Sequence, residues 1–282
     1  MKTETIAKMI TDIKLSVDFI QLTAERRLIN KFIDETNDTI VKYDIKAKKG
    51  VNYSWVNFYR YIPSKQHMYN ILLLLPKFNK LPYLLKIEHP DKSCIKAFED
   101  LFNGYNYSVS KVEFSYDIYS DNNRKVYNFL KHKIFLKNRG YAFNLKYDET
   151  VYFNNIRKAS SKGVKIYIKD ERFVRVEITL KRKALLGNDI LTLSDFLMVD
   201  PLIFEKYFSF MQLNKKRLER RLKKTNFNYE PILKKIVNAD YKKLKNDLAD
   251  DIKGYVGCLC LKTDPFHKSF VDAVSGRSFF KV

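Results

Sequence analysis

Two carboxylates stand four residues apart in the segment KVEFSYDIYS, residues 111 to 120. If this segment is a β-strand, its side chains alternate between two faces, so Glu113 and Asp117 share one polar face while Phe114 and Tyr116 share the other. Carboxylate oxygens are the ligands that hard divalent cations prefer. The pattern therefore allows two interpretations, a polar face that meets solvent or a site that binds a metal ion.

A basic and aromatic segment follows between residues 150 and 183. Its part from Ile156 to Lys183 contains ten basic residues and three acids, with tyrosine and phenylalanine between them. Such a segment suits a surface that follows a phosphate backbone and stacks on exposed bases. A solvated hairpin explains the same composition equally well.

The charge of the whole chain favours a polyanionic partner. The 282 residues include 53 Lys and Arg against 32 Asp and Glu, which gives a formal net charge of +21 and a pI near 9.6. An excess of this size in an aromatic-rich chain predicts nucleic acid ahead of a membrane surface. The three cysteines form no CxxC pair, which argues against a disulfide framework and a structural zinc site.

Neither a membrane span nor a secretory signal is expected. No run of 18 or more apolar residues occurs in the sequence, and the segment MKTETIAKMITDIK lacks the continuous apolar stretch of a signal peptide. We therefore expect no membrane association. The odd number of cysteines without a CxxC pair fits a reducing cytoplasm, where we expect the protein to be located.

The elements that must position the carboxylates and the basic segment alternate along the chain. Hydrophobic periodicity predicts helices at 23–37, 92–105 and 120–140. It predicts strands at 13–19, 40–47, 52–61, 68–75, 82–89, 111–120, 141–146, 150–154, 163–169 and 172–181. This order predicts an α+β fold in which an antiparallel sheet carries helices on one face.

From about residue 190 the pattern becomes helical, with apolar residues such as Phe196, Phe204 and Met211 at helical spacing as far as Leu213. We therefore expect an α+β domain over residues 1–188 and a mostly helical C-terminal region over residues 189–282. The C-terminal region contains the strongly basic segment KKRLERRLKK, residues 215 to 224.

The order of these segments resembles the replication initiators of rolling-circle plasmids and filamentous phages. The resemblance is greatest to the transfer-type plasmid initiators, which have a carboxylate strand, a T-x-Y-x-G-S-R-K-S-like turn, an R-x-Y-x-K strand and an R-x-E strand. It covers roughly residues 80 to 183. The matching residues are Thr150, Tyr152, Arg157, Lys158 and Ser160 in the turn, Lys165, Tyr167 and Lys169 in the next strand, and Arg175 and Glu177 in the last.

The resemblance implies a split βαβ-like nicking-endonuclease core and a nicking reaction on single-stranded origin DNA. A tyrosine oxygen attacks a phosphodiester and keeps the 5′ phosphate as a covalent phosphotyrosine, and the released 3′ hydroxyl primes rolling-circle replication. Tyr152 is the first candidate nucleophile, because it occupies the tyrosine position of the turn. Tyr167 is the second, because Lys165 and Lys169 flank it on one strand face, where cations favour phenolate.

The same resemblance implies a divalent cation, Mg²⁺ or Mn²⁺, with Glu113 and Asp117 as ligands. Residues four apart in a regular strand are separated by about 13 Å, so a bulge or a ligand from a neighbouring strand is needed. Glu177 and Glu88 are the candidates for that ligand. Because the sequence has no His-x-His pair, oxygen ligands must dominate.

The predicted DNA contacts fall into two groups. Phosphates that flank the cleavage point would be bound by a first group, Arg157, Lys158, Lys165, Lys169 and Arg175. A basic helix face containing Lys215, Lys216 and Arg220 would bind origin duplex, or would be a solvated face. The sequence has no Walker-type GxxxxGK[ST], so a helicase, if needed, would be a host protein. The protein could act as a monomer or a homodimer.

Two other functions fit the same composition. One is a DNA-binding replication initiator or regulator without catalytic activity, which uses its charge only for docking. The other is an RNA-binding or RNA-processing protein built on a similar sheet.

Overall fold

The computed structural model describes residues 3–36, 40–47, 53–62, 67–76, 83–136, 145–147, 149–153, 161–223 and 261–280. The helices there are α1 (Thr3–Met9), α2 (Arg26–Thr36), α3 (Lys92–Phe102), α4 (Asn123–Leu130), α5 (Arg182–Leu186), α6 (Leu193–Leu197), the 3-10 helix Pro201–Lys206, α7 (Lys215–Leu222) and α8 (Pro265–Val274). The strands are β1 (Ile10–Ala24), β2 (Ile40–Ala47), β3 (Tyr53–Ile62), β4 (His67–Pro76), β5 (Tyr83–Glu88), β6 (Tyr107–Ser120), β7 (Ile134–Leu136), β8 (Leu145–Tyr147), β9 (Thr150–Tyr152), β10 (Lys162–Lys169), β11 (Phe173–Lys181), β12 (Phe208–Leu213) and β13 (Leu261–Thr263).

Ten strands form one antiparallel sheet in the order β2-β3-β4-β5-β1-β6-β11-β10-β9-β8. The long strands β1 and β6 lie side by side near its middle, and β11 pairs with the other edge of β6. A second, three-stranded sheet has the order β13-β12-β7. The basic segment therefore contributes β10 and β11, which lie next to the carboxylate strand.

The two faces of β6 differ as the alternation predicts. Val112, Phe114, Tyr116 and Ile118 are fully buried in the hydrophobic core. Their counterparts on β11 are the apolar residues at positions 174, 176, 178 and 180. Helices α1 to α6 and α8 contribute buried side chains to the same core, so the α+β prediction of an antiparallel sheet with helices on one face is confirmed.

Tyr116 shows how the core joins distant parts of the chain. Its ring lies 5.5 Å from that of Phe204, 5.7 Å from that of Phe270 and 5.6 Å from that of Phe279, measured between centroids. Its hydroxyl donates to the Pro201 carbonyl at 2.9 Å, which satisfies the polar atom of a buried ring. Side chains from both sides of residue 188 thus share one core, and the predicted division into two regions stays a prediction.

Two helix predictions are wrong. The helix expected over 120–140 ends at Leu130, and β7 follows it; the helical spacing expected up to Leu213 gives way to β12. These two strands pair with each other, with Phe208 opposite Leu136 and Phe210 opposite Ile134. Strand preference depends on such distant partners, which local spacing does not reveal. The predicted helical residues 224–260 lie outside the described part of the chain.

Helix α3 has a side-chain cap at its start and a glycine just past its end. The Asp91 side chain accepts a hydrogen bond from the Cys94 N–H at 2.7 Å, which caps the first turn. Gly104, with φ of +78°, follows the last turn, as expected for a helix stop. No helix within the described ranges is long and apolar enough to cross a membrane.

Candidate metal centre and active site

The register of the sheet arranges polar side chains in rows across its second face. Directly opposite residues of paired strands project from the same face. One row is Tyr152 on β9, Lys165 on β10, Glu177 on β11, Ser115 on β6 and Ser16 on β1.

The adjacent row on the same face lies two residues away along each strand. It consists of Tyr167 on β10, Arg175 on β11, Asp117 on β6 and Lys14 on β1. On the other side of the first row, Thr179 on β11 lies opposite Glu113 on β6. Residues far apart in sequence therefore meet on one polar face.

A β-bulge adds a carboxylate that sequence reasoning missed. Val17 pairs with Phe114 and Phe19 pairs with Glu113, so Asp18 is an extra residue in β1. A bulge changes the phase of the side chains along a strand. The apolar positions shift from 13, 15 and 17 to 20, 22 and 24, and this shift in the sequence was a signal that could have located the bulge.

Asp18, Glu113 and Glu177 form the acidic centre of the polar face. One carboxylate oxygen from each lies within 4.8 Å of the others. Glu177 is fully buried and Glu113 nearly so. Of the four predicted metal ligands, the structure brings Glu113 and Glu177 together, and Asp18 joins them from the neighbouring strand.

Asp117, another predicted ligand, forms a bidentate pair with Arg175. The Arg175 Nε–Asp117 Oδ1 distance is 2.5 Å and the Nη2–Oδ2 distance is 2.8 Å. Arg175 Nη1 also lies 2.7 Å from Asp18 Oδ1 and 3.8 Å from Glu177 Oε1. Burial lowers the pKa of the Arg175 guanidinium, but the hydrogen bonds and charge of Asp117, together with the charges of Asp18 and Tyr167, raise it overall.

Lys165 bridges two members of the acidic centre. Its Nζ lies 3.3 Å from Glu113 Oε1 and contacts Glu177 Oε2 as an ion pair. That Glu177 oxygen is buried and has no hydrogen bond of good geometry. Thr179 Oγ1 donates to Glu113 Oε2 at 2.6 Å, which fixes the second oxygen of Glu113.

Tyr167 donates its hydroxyl hydrogen bond to Glu177 Oε1. Burial raises the pKa of Tyr167 to about 12, while Arg175 acts in the opposite direction. The cation Arg175 does favour the phenolate, but burial is the larger effect, so the pKa of Tyr167 is raised overall. At neutral pH this tyrosine keeps its proton.

Tyr152 is half-buried at the end of β9, opposite Lys165. It lies on the same face as the acidic centre, in the row that contains Glu177. The predicted turn residues Arg157 and Lys158 lie outside the described residues.

The last predicted ligand, Glu88, lies at the edge of this arrangement. It is opposite Phe19, and its Oε1 lies 2.5 Å from Lys86 Nζ. His89, which follows it, has φ of +47° and donates its backbone N–H to the Asp18 carbonyl at 2.8 Å. This turn brings His89 Nδ1 to 3.9 Å from Asp18 Oδ1.

The remaining predicted DNA contacts are more dispersed. Lys169 lies on β10 on the same face as Lys165, opposite Phe173. Lys216 and Arg220 are exposed on α7, which follows the three-stranded sheet and not the ten-stranded one. Lys215 begins this helix, and its side chain lies outside the described part of the structure.

The charge and the donor atoms of the centre fit a divalent cation. The four carboxylates Asp18, Glu113, Asp117 and Glu177 face two cations, Lys165 and Arg175, which leaves a formal charge of −2. Uncompensated buried charge is costly. The acidic centre offers only oxygen donors, which suit Mg²⁺ or Mn²⁺ better than softer metals. Asp18, Glu113 and Glu177 could therefore hold a metal ion.

No family model and no curated protein matches this chain. Among solved structures, the chain is similar to a rolling circle replication initiator protein from Geobacillus stearothermophilus. The two are 14% identical, with a TM-score of 0.43, over 71% of this chain and 87% of that one. A likeness at this level does not decide function, so the residues of the polar face must carry that inference.

Proposed function

We propose that the protein initiates rolling-circle replication of a plasmid or phage by nicking and rejoining single-stranded origin DNA through a covalent 5′-phosphotyrosine. The observation that carries this proposal is that two tyrosines, three clustered carboxylates and two cations lie on one face of the central sheet. The net charge of +21 and the order of the sequence motifs support it.

Tyr152 is the nucleophile in this proposal. Its hydroxyl loses its proton, its oxygen bonds to the scissile phosphorus, and the bond from phosphorus to the 3′ oxygen breaks, so that the 3′ end leaves as a hydroxyl. Rejoining is the reverse reaction, in which that 3′ hydroxyl displaces Tyr152. A neutral tyrosine hydroxyl is a weak nucleophile, so this step needs assistance from neighbouring groups.

Asp18, Glu113 and Glu177 would hold Mg²⁺ or Mn²⁺, which when bound supplies positive charge that polarises the scissile phosphate. Arg175 keeps Asp18 in place through its 2.7 Å contact. Thr179 and Tyr167 each donate a hydrogen bond to a carboxylate of the centre, Glu113 and Glu177 respectively. Tyr167 is thus a positioning residue in this proposal.

Lys165 has a second role at the substrate. Its side chain is about one quarter exposed, so its ammonium can contact a phosphate from its place beside Glu113 and Glu177. Lys165 also lies opposite Tyr152, where its charge would stabilise the phenolate as the proton leaves.

A covalent adduct is the direct test. Single-stranded oligonucleotides that tile the replicon encoding the protein, each with a fluorescent 3′ end, are incubated with the protein and Mn²⁺ and then analysed in SDS. We expect a labelled, SDS-resistant adduct with one oligonucleotide. Tyr152→Phe should abolish this adduct, whereas Tyr167→Phe should only slow its formation and Tyr105→Phe, a control outside the polar face, should leave it unchanged.

One observation favours a non-catalytic DNA-binding initiator or regulator as the second candidate. Lys165 and Arg175 already pair with every carboxylate of the centre, as in a purely structural ion-pair network. If no oligonucleotide yields an adduct with Mg²⁺ or Mn²⁺ while the same set binds tightly, this second function is correct. An adduct that persists in both Tyr152→Phe and Tyr167→Phe would show that the nucleophile is another tyrosine.

A further inference from the structure

Three lysines cross the polar face beside the acidic centre. Lys181 on β11 lies opposite Lys111 on β6, Lys111 lies opposite Gln21 on β1, and Gln21 lies opposite Lys86 on β5. We call Lys86, Lys111 and Lys181 the lysine row. It runs two residues along the strands from the row that contains Glu113, a distance of about 7 Å.

The lysine row concentrates positive charge in a partly enclosed place. Lys111 is half-buried, and its direct neighbour across the strands is another lysine, Lys181. Like charges gathered in this way repel one another. An anion bound between them would relieve that repulsion.

Two acids offset part of this charge: Glu88 pairs with Lys86, and the charge of Glu113 in the acidic centre acts on Lys111. Lys86 pairs with Glu88, which leaves a formal charge of +2 for the three lysines and this acid together. The Phe19 ring lies between two of the lysines, with its centroid 4.5 Å from Lys86 Nζ and 4.6 Å from Lys111 Nζ. The negative face of the ring attracts both cations and holds them on the same side of the sheet.

We propose that the lysine row is a binding subsite for a phosphate of the DNA backbone next to the scissile phosphate, an inference that rests on the proposed function. A strand of nucleic acid that places one phosphate at the acidic centre must continue over the adjoining surface. On the side of Glu113 that surface is the lysine row. Lysine ammonium groups bind phosphates as point charges, with three donors each and no demand for a particular base.

Salt dependence of binding provides the first test, in EDTA so that no cleavage occurs. A fluorescent single-stranded oligonucleotide is titrated with wild type and with the double variant Lys111→Gln/Lys181→Gln at several salt concentrations. Each lost phosphate contact should reduce the slope of log K against log salt by about 0.7. We expect the double variant to bind on the order of tenfold more weakly at low salt, with the slope reduced by about 0.7 to 1.4.

The matched control is Lys262→Gln/Lys268→Gln, which removes the same charge from two exposed lysines on β13 and α8. Its slope should stay at the wild-type value. If Lys111→Gln/Lys181→Gln proves unfolded by circular dichroism, Lys181→Gln alone repeats the test, because Lys181 is exposed at the end of β11. A wild-type slope in a folded lysine-row variant would overturn the proposal.

Neutral phosphates then locate the subsite. Methylphosphonate is placed at one position at a time along the oligonucleotide, and we expect one position at which wild type loses affinity while the double variant loses none. The proposal would be overturned if, at every position, the double variant lost as much affinity as wild type. It would also be overturned if inorganic phosphate at millimolar concentration competed fully with the oligonucleotide, since the row would then be a site for free anions. If one neutral position weakens binding by wild type alone but no covalent adduct ever forms, the nicking reaction is refuted and the subsite is kept. If an adduct forms but no such position is found, the subsite alone is refuted.

Discussion

The two faces of β6 are both buried, yet they are stabilised in different ways. On one face, Phe114 and Tyr116 pack among aromatic rings, and the stabilisation is additive over many weak contacts. On the other, Glu113 pairs with Lys165 and Asp117 pairs with Arg175, and loss of one partner would leave a buried charge uncompensated, which is costly. The core face therefore tolerates conservative changes, whereas the polar face depends on each partner of a small network.

Removal of the Arg175 guanidinium should have the largest effect. Arg175→Met would leave Asp117 without its bidentate partner and Asp18 without its 2.7 Å contact. We expect the free energy of unfolding in urea to fall by about 3–5 kcal/mol. In the double variant Arg175→Met/Asp117→Leu a large part of this loss should be recovered, and a single variant that loses less than about 1 kcal/mol would contradict the network.

Binding of a metal ion should be the next largest effect. Mg²⁺ or Mn²⁺ at one hundred times its Kd should raise the free energy of unfolding by about 2.7 kcal/mol, because only the folded protein has the acidic centre. Glu113→Gln should remove most of this gain, and Glu219→Gln on α7 should keep all of it. Calorimetric titration gives the Kd independently, and equal gains in both variants would exclude the acidic centre as the metal site.

Tyr167→Phe removes one neutral donor from the network. The loss of a hydrogen bond to a charged group should lower the free energy of unfolding at pH 8 by about 1.5–3 kcal/mol. Folding raises the pKa of Tyr167 from 10.0 to about 12, so its contribution is complete below pH 10 and falls as the pH rises towards 12.

The difference between wild type and Tyr167→Phe should therefore shrink between pH 10 and pH 12. Urea denaturation of both proteins at several pH values measures this difference, and the subtraction removes the effects of other tyrosines. A difference that stays constant up to pH 12 would be inconsistent with the raised pKa.

A conservative change on the core face should have the smallest effect. Phe114→Leu keeps an apolar side chain of similar size in contact with the rings of Phe196 and Phe279, so the expected loss is about 1 kcal/mol. Asp117→Asn, which changes volume even less, should cost more because Arg175 then loses its charged partner. If the two costs are equal, the polar face does not depend on its charged partners more than the core face depends on its packing.

Much of the polar face could be predicted from the sequence. The alternation of β6 assigned Glu113 and Asp117 to one side, and the motif order placed Glu177 and Lys165 on strands near them. Whether a carboxylate meets an arginine or joins an acidic centre depends on register, which no local pattern specifies. Asp117 and Asp18 differ for that reason, since Asp117 on β6 lies directly opposite Arg175 on β11 while Asp18 projects from a bulge in β1.

Two strands escaped prediction for one and the same reason. Strands β7 and β12 are short and pair with each other across more than seventy residues of sequence, as in the pair Phe208 and Leu136. Their apolar residues also fit a helical pattern, and only pairing with the distant strand makes these segments strands instead of helices. The lysine row was missed in the same way, because Lys86, Lys111 and Lys181 come from three separate strands.

The bulge at Asp18 changes which residues of β1 face the core: odd-numbered residues before it and even-numbered residues after it. In Ile13–Val17 the odd-numbered residues face the core, and beyond the bulge the even-numbered residues Ile20, Leu22 and Ala24 do so. In a saturation mutagenesis of this strand, tolerance to polar substitution should switch from even to odd positions as the scan passes Asp18. Deletion of this single residue would turn one half of β1 over, and the core and the polar face would then exchange side chains.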